Sequence, residues 1–418
     1  MRIVQVVHNF LGEHRGGTER STELLSSELA KRHHVEIVTS EIAPGAVRSR
    51  RDERSGLPVT VVRRPPASTL SERLRTQRSI DRWFGVYLRE RRPDVVHVQH
   101  LVDISAGWLR APARTRIPHV VSLHDFWFAC PRTYLVRRNL DQCETGPRGG
   151  VACIQHCRPL DDRMRDASGP VGPRGVVHVR DLAFVARAVR NRSALRGVPR
   201  FIAPSEYVRE RWASLWLDAS DIEVIPLGLP PTEVVPRPPT RLPIRFVFLG
   251  RVSLMKGADV VVRAFRDLGP ERATLTLHGP IPPDQRSFFD DLLASVPPVR
   301  WAGPYLGDPP LEDADVVVIP SRQPETWSLV AHEALQRRVP VMAQRRGALP
   351  EVIHDGVDGV LFDGPGELGA AIRRLVDEPD LVDRLRSNIG SVPTIAESAR
   401  RLEALYVRVV ERYSSRRR

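Results

Sequence analysis

Residues 244–257 read Ile244-Arg245-Phe246-Val247-Phe248-Leu249-Gly250-Arg251-Val252-Ser253-Leu254-Met255-Lys256-Gly257. The apolar run before Gly250 is typical of a buried parallel strand, and the glycines let the chain turn from that strand into a helix. Lys256 is one of two lysines in the chain, because 61 of its 63 Lys and Arg residues are arginine. The lysine ammonium is a compact point charge, whereas the arginine guanidinium is wide and planar. The retention of a lysine here therefore indicates a closely bound phosphate. The alternative is that this lysine was retained by chance.

Apolar, β-branched runs alternate with amphipathic segments along the whole chain, a pattern typical of parallel sheets covered by helices. We therefore predict an α/β protein with two Rossmann-like domains. The strands predicted in the first half are Ile3–Val7, Val35–Thr39, Val59–Val62, Val95–Val98, His119–Leu123, Arg200–Ala203 and Glu223–Ile225. Those predicted in the second half are Arg245–Leu249, Thr274–His278, Val299–Ala302, Val316–Ile319 and Val339–Ala343.

A proline-rich segment separates the two halves. Seven prolines fall within residues 226–243, and such a density continues neither a helix nor a central strand. Two α/β domains joined in this way commonly bind their ligand in the cleft between them. The predicted parts are an N-terminal domain at 1–228 with an irregular cysteine-containing insert at about 126–175, a linker at 229–243, a C-terminal domain at 244–394 and a final helix at 395–418.

The charge of the chain is unevenly distributed. Of the formal net charge of +13, residues 1–225 carry +12 and residues 226–418 carry +1. The basic half suits an anionic partner, such as a phosphorylated substrate or an acidic membrane face, although a solvated arginine-rich surface fits equally well. Scattered arginines without a recognition element disfavour nucleic acid. No run approaches the roughly 18 apolar residues of a membrane span, and the N-terminus resembles a strand rather than a signal peptide, so we expect a cytoplasmic protein.

Two positions indicate anion binding. Gly16 and Gly17 lie between the first strand and the first helix, where backbone amides and the helix N-terminus favour an anion. The pair matches neither a G-x-G-x-x-G nor a P-loop, and a tight turn explains it equally well. Arg251 and Lys256 follow a strand and are candidates for binding a diphosphate between them. The alternative is that they are solvated charges in a surface turn.

Glu325 and Glu333 lie just before and within a predicted helix that follows the strand Val316–Ile319. A carboxylate accepts two hydrogen bonds and therefore suits the paired hydroxyls of a sugar or a ribose. The alternative is that Glu325 is only a charge at the start of the helix and Glu333 only an exposed helix residue. The residues between them whose backbone amides can face the same ligand are Thr326, Trp327, Ser328 and Leu329.

His100 and His124 each follow a predicted strand of the first domain, at the edge where α/β proteins bind ligands. We consider His124, with its neighbour Asp125, a candidate for positioning acceptor or sugar hydroxyls, and His100 a second candidate on the acceptor side. Structural histidines with satisfied hydrogen bonds are the alternative.

All four cysteines fall within 28 residues. Because stable disulfides are rare in the cytosol, a structural zinc site is the sharper hypothesis, while unligated thiols and redox pairing stay open. Such a zinc ion would brace a loop and take no part in sugar chemistry. The candidate ligands are Cys130, Cys143, Cys153 and Cys157.

Taken in order, these segments resemble the retaining glycosyltransferases of the GT-B fold, family four, also called glycosyl transferases group 1. The E-x7-E spacing of Glu325 and Glu333, with the Arg251/Lys256 pair, is the most specific part. The family's phenylalanine–glycine after the first glutamate is Trp327-Ser328 here, and the cysteines resemble an insert of one branch of the family. The other matching segments are Gly16-Gly17-x-Glu19, Ile225-Pro226-x-Gly228, Pro320-Ser321, Gly347-Ala348-Leu349-Pro350-Glu351 and Asp355-Gly356-Val357-Asp358-Gly359.

The resemblance implies that the second domain binds a nucleotide-diphosphate sugar, the first binds the acceptor, and the final helix crosses back to the first domain. By the same resemblance Arg251 and Lys256 hold the diphosphate, Glu325 and the amides after it hold the sugar, and Glu333 holds the ribose. Gly17 then lies near the diphosphate across the cleft.

The resemblance also implies transfer with retained anomeric configuration, by front-face attack, with a diphosphate leaving group stabilised by the cations and without a required metal or cofactor. The sequence leaves open the nucleotide, the sugar and the acceptor, which could be a glycan, a lipid-linked acceptor or a small-molecule natural product. Two alternatives stay open: a nucleotide-sugar-binding protein without catalysis, and a phosphorylase or epimerase on the same fold.

Overall fold

The structure, a computed structural model, describes residues 1–12, 16–66, 70–102, 104–137, 139–144, 146, 150–157 and 182–415. Much of the predicted cysteine-containing insert, residues 158–175, and the last three arginines lie outside the described residues. The described residues form two sheets, and the prediction of an α/β protein with two Rossmann-like domains is confirmed.

The first sheet has the strand order β3-β4-β2-β1-β5-β6-β7-β8 among the described residues. All neighbours are parallel except β3, which pairs antiparallel with β4 at the sheet edge. The sequence analysis did not predict β3, because its charged residues show no apolar alternation. These strands are β1 (Arg2–Val6), β2 (His34–Ile42), β3 (Arg48–Arg54), β4 (Leu57–Arg64), β5 (Val95–Val98), β6 (His119–Ser122), β7 (Phe201–Ala203) and β8 (Ile222–Val224).

Helices cover both faces of the first sheet. The first of them starts at Gly17, where the backbone N–H of Gly16 donates to Glu19 Oε2 at 3.0 Å and so satisfies one of the free amides of the helix end. Its apolar face buries Leu25 and Leu29 against the sheet. The helices of this domain are α1 (Gly17–Ala30), α2 (Leu70–Arg91), α3 (Arg110–Thr115), α4 (Val151–His156), α5 (Leu182–Leu195) and α6 (Glu206–Leu215).

The second sheet is parallel throughout its described strands, in the order β11-β10-β9-β12-β13-β14. The sequence analysis did not predict the short edge strand β14. The strands are β9 (Ile244–Leu249), β10 (Ala273–His278), β11 (Val299–Gly303), β12 (Val316–Ile319), β13 (Val341–Gln344) and β14 (Gly359–Phe362). The helices around them are α7 (Ala258–Ala264), α8 (Arg286–Ala294), α9 (Leu329–Gln336), α10 (Leu349–Val352), α11 (Pro365–Asp377) and α12 (Pro379–Ser387).

The last helix, α13 (Ile395–Ser415), returns to the first domain, as the resemblance implied. Its buried residues Leu402, Leu405 and Tyr406 join the core formed by β1, β5 and α1. Just before it, the outgoing and returning chains are hydrogen bonded, since the Leu229 N–H donates to the Pro393 carbonyl at 3.0 Å and the Ile395 N–H donates to the Leu229 carbonyl at 2.9 Å. None of the described helices is long and apolar enough to cross a membrane.

Candidate active site

The loops after β9 and β12 carry the residues predicted to bind a nucleotide sugar. The two strands are neighbours, so the loops at their carboxyl ends meet. At Gly257 the backbone has φ 71°, and an added Cβ would lie 1.9 Å from the Pro320 carbonyl oxygen. Only glycine fits so close an approach, and it places Lys256 beside the segment that follows β12.

Lys256 and Glu325 form an ion pair between these loops. The Nζ of Lys256 lies 2.7 Å from Glu325 Oε1, and their side chains are 31% and 9% exposed. Arg251 is exposed in the same loop, and within the described parts of the chain its guanidinium has no ion-pair partner. The loop therefore presents one uncommitted cation and one that is held by a carboxylate.

The residues after Glu325 form a tightly held turn. The Glu325 carbonyl accepts a hydrogen bond from the Ala348 N–H at 2.7 Å, and a Cβ on Gly347 would lie 2.2 Å from that carbonyl oxygen. Ser328, where the family has glycine, keeps φ at 66° and caps α9 by accepting a hydrogen bond from the Ala331 N–H through its side chain. The turn thus keeps the left-handed geometry that glycine favours and gains a side-chain cap.

Trp327 replaces the family's phenylalanine and is buried in the same turn. Its ring stacks on that of His332, with centroids 4.0 Å apart and an interplanar angle of 13°. Burial lowers the pKa of His332 to about 4, so the stacked imidazole is neutral near pH 7. The pair fixes the start of α9, from which Glu333 projects.

Glu333 is buried and is paired across the cleft with Arg20 of α1. Arg20 Nη1 lies 2.8 Å from Glu333 Oε1. Burial raises the pKa of Glu333, and the positive charge of Arg20 offsets part of that rise. The sequence analysis missed Arg20, since nothing in a chain with 61 arginines distinguishes it.

His124 follows β6 on the opposite side of the cleft. Its Nε2 lies 2.6 Å from the Oε1 of Gln99, which is fully buried. Burial, together with the nearby His100, lowers the pKa of His124 to about 4, so the ring is neutral near pH 7.

His100 and Asp125 form a second pair next to His124. His100 Nε2 lies 3.0 Å from Asp125 Oδ2, while the Trp127 N–H donates to Asp125 Oδ1 at 2.8 Å. Burial alone would raise the pKa of Asp125, but His100 and the Trp127 amide bring it below its usual range. A further histidine that the sequence analysis missed, His8, lies with its ring 4.6 Å from the His100 ring.

The two domains contact each other directly at the cleft. The Thr326 hydroxyl donates to the His124 carbonyl at 2.7 Å, and the Ser205 hydroxyl donates to the Thr326 carbonyl at 2.8 Å. The carboxylate of Glu351 accepts from two backbone amides at the start of α6, at 2.6 and 2.9 Å. Gly17 faces Leu329 so closely that an added Cβ would lie 3.4 Å from its Cδ1.

The zinc site predicted for the four cysteines gains no support. The described residues contain no group of three or more His, Cys, Asp or Glu side chains that could hold a metal ion. Cys153 and Cys157 pack with Phe184, Cys130 is buried in the main core of the first domain, and Cys143 is partly buried against that core. Burial raises the pKa of Cys130 to about 11, while the hydrogen bond with Cys153 lowers the pKa of Cys157.

Two facing Rossmann-like sheets, with a final helix that returns to the first, are the architecture of the GT-B glycosyltransferases. Residues 16–228 match the family "Glycosyl transferase 4-like domain", and residues 243–378 match "Glycosyl transferases group 1". The chain belongs to this family of glycosyl transferases.

Several relatives are named D-inositol 3-phosphate glycosyltransferase. The one from Thermobispora bispora is 28% identical over 349 residues, which cover 77% of this chain and 72% of that protein. The one from Corynebacterium kroppenstedtii is 34% identical over 181 residues, which cover 38% of this chain and 39% of that protein. With the Catenulispora acidiphila relative the match likewise spans less than half of the relative, at 44% of its length.

Solved structures share the fold at low sequence identity. The Anabaena protein Alr3699/HepE in complex with UDP and glucose superposes with a TM-score of 0.65 at 16% identity, covering 97% of this chain and 99% of that one. Sucrose-phosphate synthase from Thermosynechococcus elongatus also gives 0.65, at 17% identity, covering 99% of this chain and 98% of that one.

Proposed function

We propose that the protein is a retaining glycosyltransferase that moves a sugar from a nucleotide-diphosphate donor to an acceptor hydroxyl. The observation that carries the proposal is the Lys256–Glu325 contact of 2.7 Å, beside the uncommitted Arg251. It brings a phosphate-binding cation and a hydroxyl-binding carboxylate to one point of the cleft, which is what a sugar diphosphate requires.

In this function the second domain binds the donor. Arg251 and Lys256 hold the diphosphate, Glu325 and the amides of Thr326–Leu329 hold the sugar, and Glu333 accepts hydrogen bonds from the ribose. Arg20, which the structure places 2.8 Å from Glu333, holds that carboxylate from the first domain. UDP is the first nucleotide to test, because the neighbouring Anabaena structure contains UDP and glucose.

The transfer breaks the bond between the anomeric carbon and the diphosphate oxygen and forms a bond from that carbon to the acceptor oxygen on the same face. The acceptor proton passes to the departing phosphate oxygen, so the step needs neither a protein nucleophile nor an oxidant. Arg251 and Lys256 neutralise the charge that develops on the leaving diphosphate. His124 lies across the cleft, at a position suited to orienting a sugar or acceptor hydroxyl.

The acceptor site belongs to the first domain, whose half of the chain carries a net charge of +12. The relatives are named for D-inositol 3-phosphate, so a phosphorylated polyol is the first acceptor to test. A lipid-linked acceptor at an anionic membrane face is the second, because the same positive charge would favour that surface.

The test combines binding and product analysis. Thermal denaturation is measured with UDP, GDP and their glucose, N-acetylglucosamine and mannose derivatives, since a ligand of the native state raises Tm. The stabilising donor is then incubated with the acceptors above, and ¹H NMR reads the anomeric configuration of the product. A product with inverted configuration, or tight donor binding without transfer or hydrolysis, would contradict the proposal.

A further inference from the structure

A row of polar side chains is buried on one face of the first sheet, under α13. Gln5 of β1 is directly opposite His97 of β5, so both side chains lie on the same face. Gln99 follows two residues after His97, and Ser122 and His124 continue the same face from β6. All five are less than 10% exposed, and Tyr406 of α13 completes the row from above.

These groups form one continuous hydrogen-bonded network. The Gln5 side-chain amide donates to the Tyr406 hydroxyl oxygen at 3.4 Å, and the Gln99 side-chain amide donates to Gln5 Oε1 at 2.9 Å. Tyr406 Oη is 2.7 Å from His97 Nδ1, and His97 Nε2 is 2.8 Å from Ser122 Oγ. A side-chain network of this kind orients each of its members, because a buried polar group without a partner is costly.

In the orientation that the side-chain amides of Gln5 and Gln99 take here, the direction of these bonds indicates which nitrogen of His124 is protonated. The amide nitrogen of Gln99 donates to Gln5 Oε1 and lies 3.2 Å from His97 Nδ1, so its oxygen is the atom that faces His124 Nε2 at 2.6 Å. An oxygen can only accept, so the proton of the neutral ring lies on Nε2. The other ring nitrogen, Nδ1, then carries a lone pair, and it has no hydrogen-bond partner in the described part of the chain.

We infer that Gln99, oriented by Gln5 and by Tyr406 of the C-terminal helix, is a positioning residue that keeps His124 neutral with Nδ1 free to accept a hydrogen bond from a substrate hydroxyl. This inference rests on the proposed function. It assigns His124 the recognition of a hydroxyl hydrogen and excludes the ring as the proton donor to the leaving group. The negative charge that develops on the leaving diphosphate is then neutralised by Arg251 and Lys256.

The charged and titratable groups around His124 are those of the neighbouring loops. His100 and Asp125 lie beside it, and His8 is coupled to the same cluster. Burial lowers the pKa of His124 to about 4 and that of His97 to about 3, so both rings are neutral between pH 6 and pH 8. From the second domain, the Thr326 hydroxyl reaches the His124 carbonyl and not its ring.

The direct test is ¹⁵N NMR of the histidine rings, which does not require activity. The spectrum of the full chain labelled with ¹⁵N-histidine is compared with that of His124→Asn to assign the resonances. We expect His124 to be protonated at Nε2 only, between pH 6 and 8. In Gln99→Leu, which removes the accepting oxygen at similar volume, the two tautomers should both be populated. A wild-type ring protonated at Nδ1, or an unchanged tautomer in Gln99→Leu, would overturn the inference.

A kinetic test separates positioning from a general structural role. In Gln99→Glu the carboxylate still accepts from Nε2 but favours the charged ring, so the pKa of His124 rises. Below that pKa a proton occupies Nδ1 and the acceptor is lost. Turnover should therefore be near wild type at pH 8 and fall at least about tenfold by pH 6, whereas Gln99→Leu should be about tenfold slower at both pH values. Parallel pH profiles for wild type and Gln99→Glu would refute the role.

Tyr406→Phe tests the far end of the network, with Tyr413→Phe on the same helix as the matched control. The first variant removes the hydroxyl that contacts His97 and Gln5, and it should populate the second His124 tautomer. The control should leave the His124 spectrum unchanged. Identical spectra for Tyr406→Phe and wild type would show that α13 does not reach the site. If donor turnover cannot be detected at all, the proposed function fails while the tautomer measurement still decides the inference.

Discussion

Replacing Lys256 with methionine removes the ammonium while keeping a side chain of similar length. One preorganised charge at a developing oxyanion is typically worth about 10²–10³ in kcat, or about 3–4 kcal/mol. The cost to stability is smaller, because the Lys256 side chain is 31% exposed in its contact with Glu325 and such a pair contributes about 1 kcal/mol or less. For a domain of this size that corresponds to a Tm decrease of about 2–4 °C. The catalytic loss should therefore far exceed the loss of stability.

The assay measures release of the nucleotide diphosphate at saturating donor, with Tm recorded on the same preparation. Lys256→Arg is the matched control: it keeps the charge but widens the head group, so it should retain more activity than Lys256→Met. Turnover by Lys256→Met within about threefold of wild type, with Tm unchanged, would refute the role of Lys256 as a leaving-group clamp.

Four further outcomes are expected. Glu325→Gln should weaken binding of the nucleotide sugar more than that of the free nucleotide in calorimetry, and equal losses would contradict its assignment to the sugar. Arg20→Met should weaken nucleotide binding about tenfold by leaving the Glu333 carboxylate buried without its cation, while tighter binding would show that Arg20 competes with the ribose. Gly347→Ala should lower the free energy of unfolding by at least about 2 kcal/mol, because a Cβ there would meet the Glu325 carbonyl at 2.2 Å; urea denaturation checks this. Lowering the pH from 7 to 5 should lower Tm in scanning calorimetry. Five buried histidines have pKa values of about 3 to 4 in the folded protein but near 6.5 when unfolded, so over this range the unfolded state binds more protons and is favoured. A Tm independent of pH would contradict this expectation. These histidines are His8, His97, His119, His124 and His332.

The sequence predicted those features that are encoded within short segments. The strands β9 and β12 were predicted from their apolar, β-branched runs. The loops after them were predicted to bind ligand because one contains a rare lysine and the other contains the first of a pair of glutamates. The edge strand β3 escaped prediction, because its exposed, charged residues owe their pairing to β4 and not to their own pattern.

Long-range partners escaped prediction for a related reason. Arg20 and Glu333 are 313 positions apart, and their 2.8 Å contact depends on how two domains meet. Likewise, nothing local to Tyr406 indicates that its hydroxyl lies 2.7 Å from the ring of His97, which is 309 residues away in the chain. Pattern along the chain identifies candidate side chains, while their pairing is a property of the packed domains.

The return of α13 has a consequence for the order of synthesis. The ribosome completes β1 to β8 long before residues 395–415, yet Leu402, Leu405 and Tyr406 belong to the core between that sheet and α13. We therefore expect the first domain to emerge as a sheet with one apolar face uncovered, and to mature only after α13 has left the ribosome. Tyr406, which we propose orients Gln99 and through it His124, is then made only after both sheets. A released chain truncated before residue 395 should bind nucleotide through its second domain while lacking an ordered acceptor side.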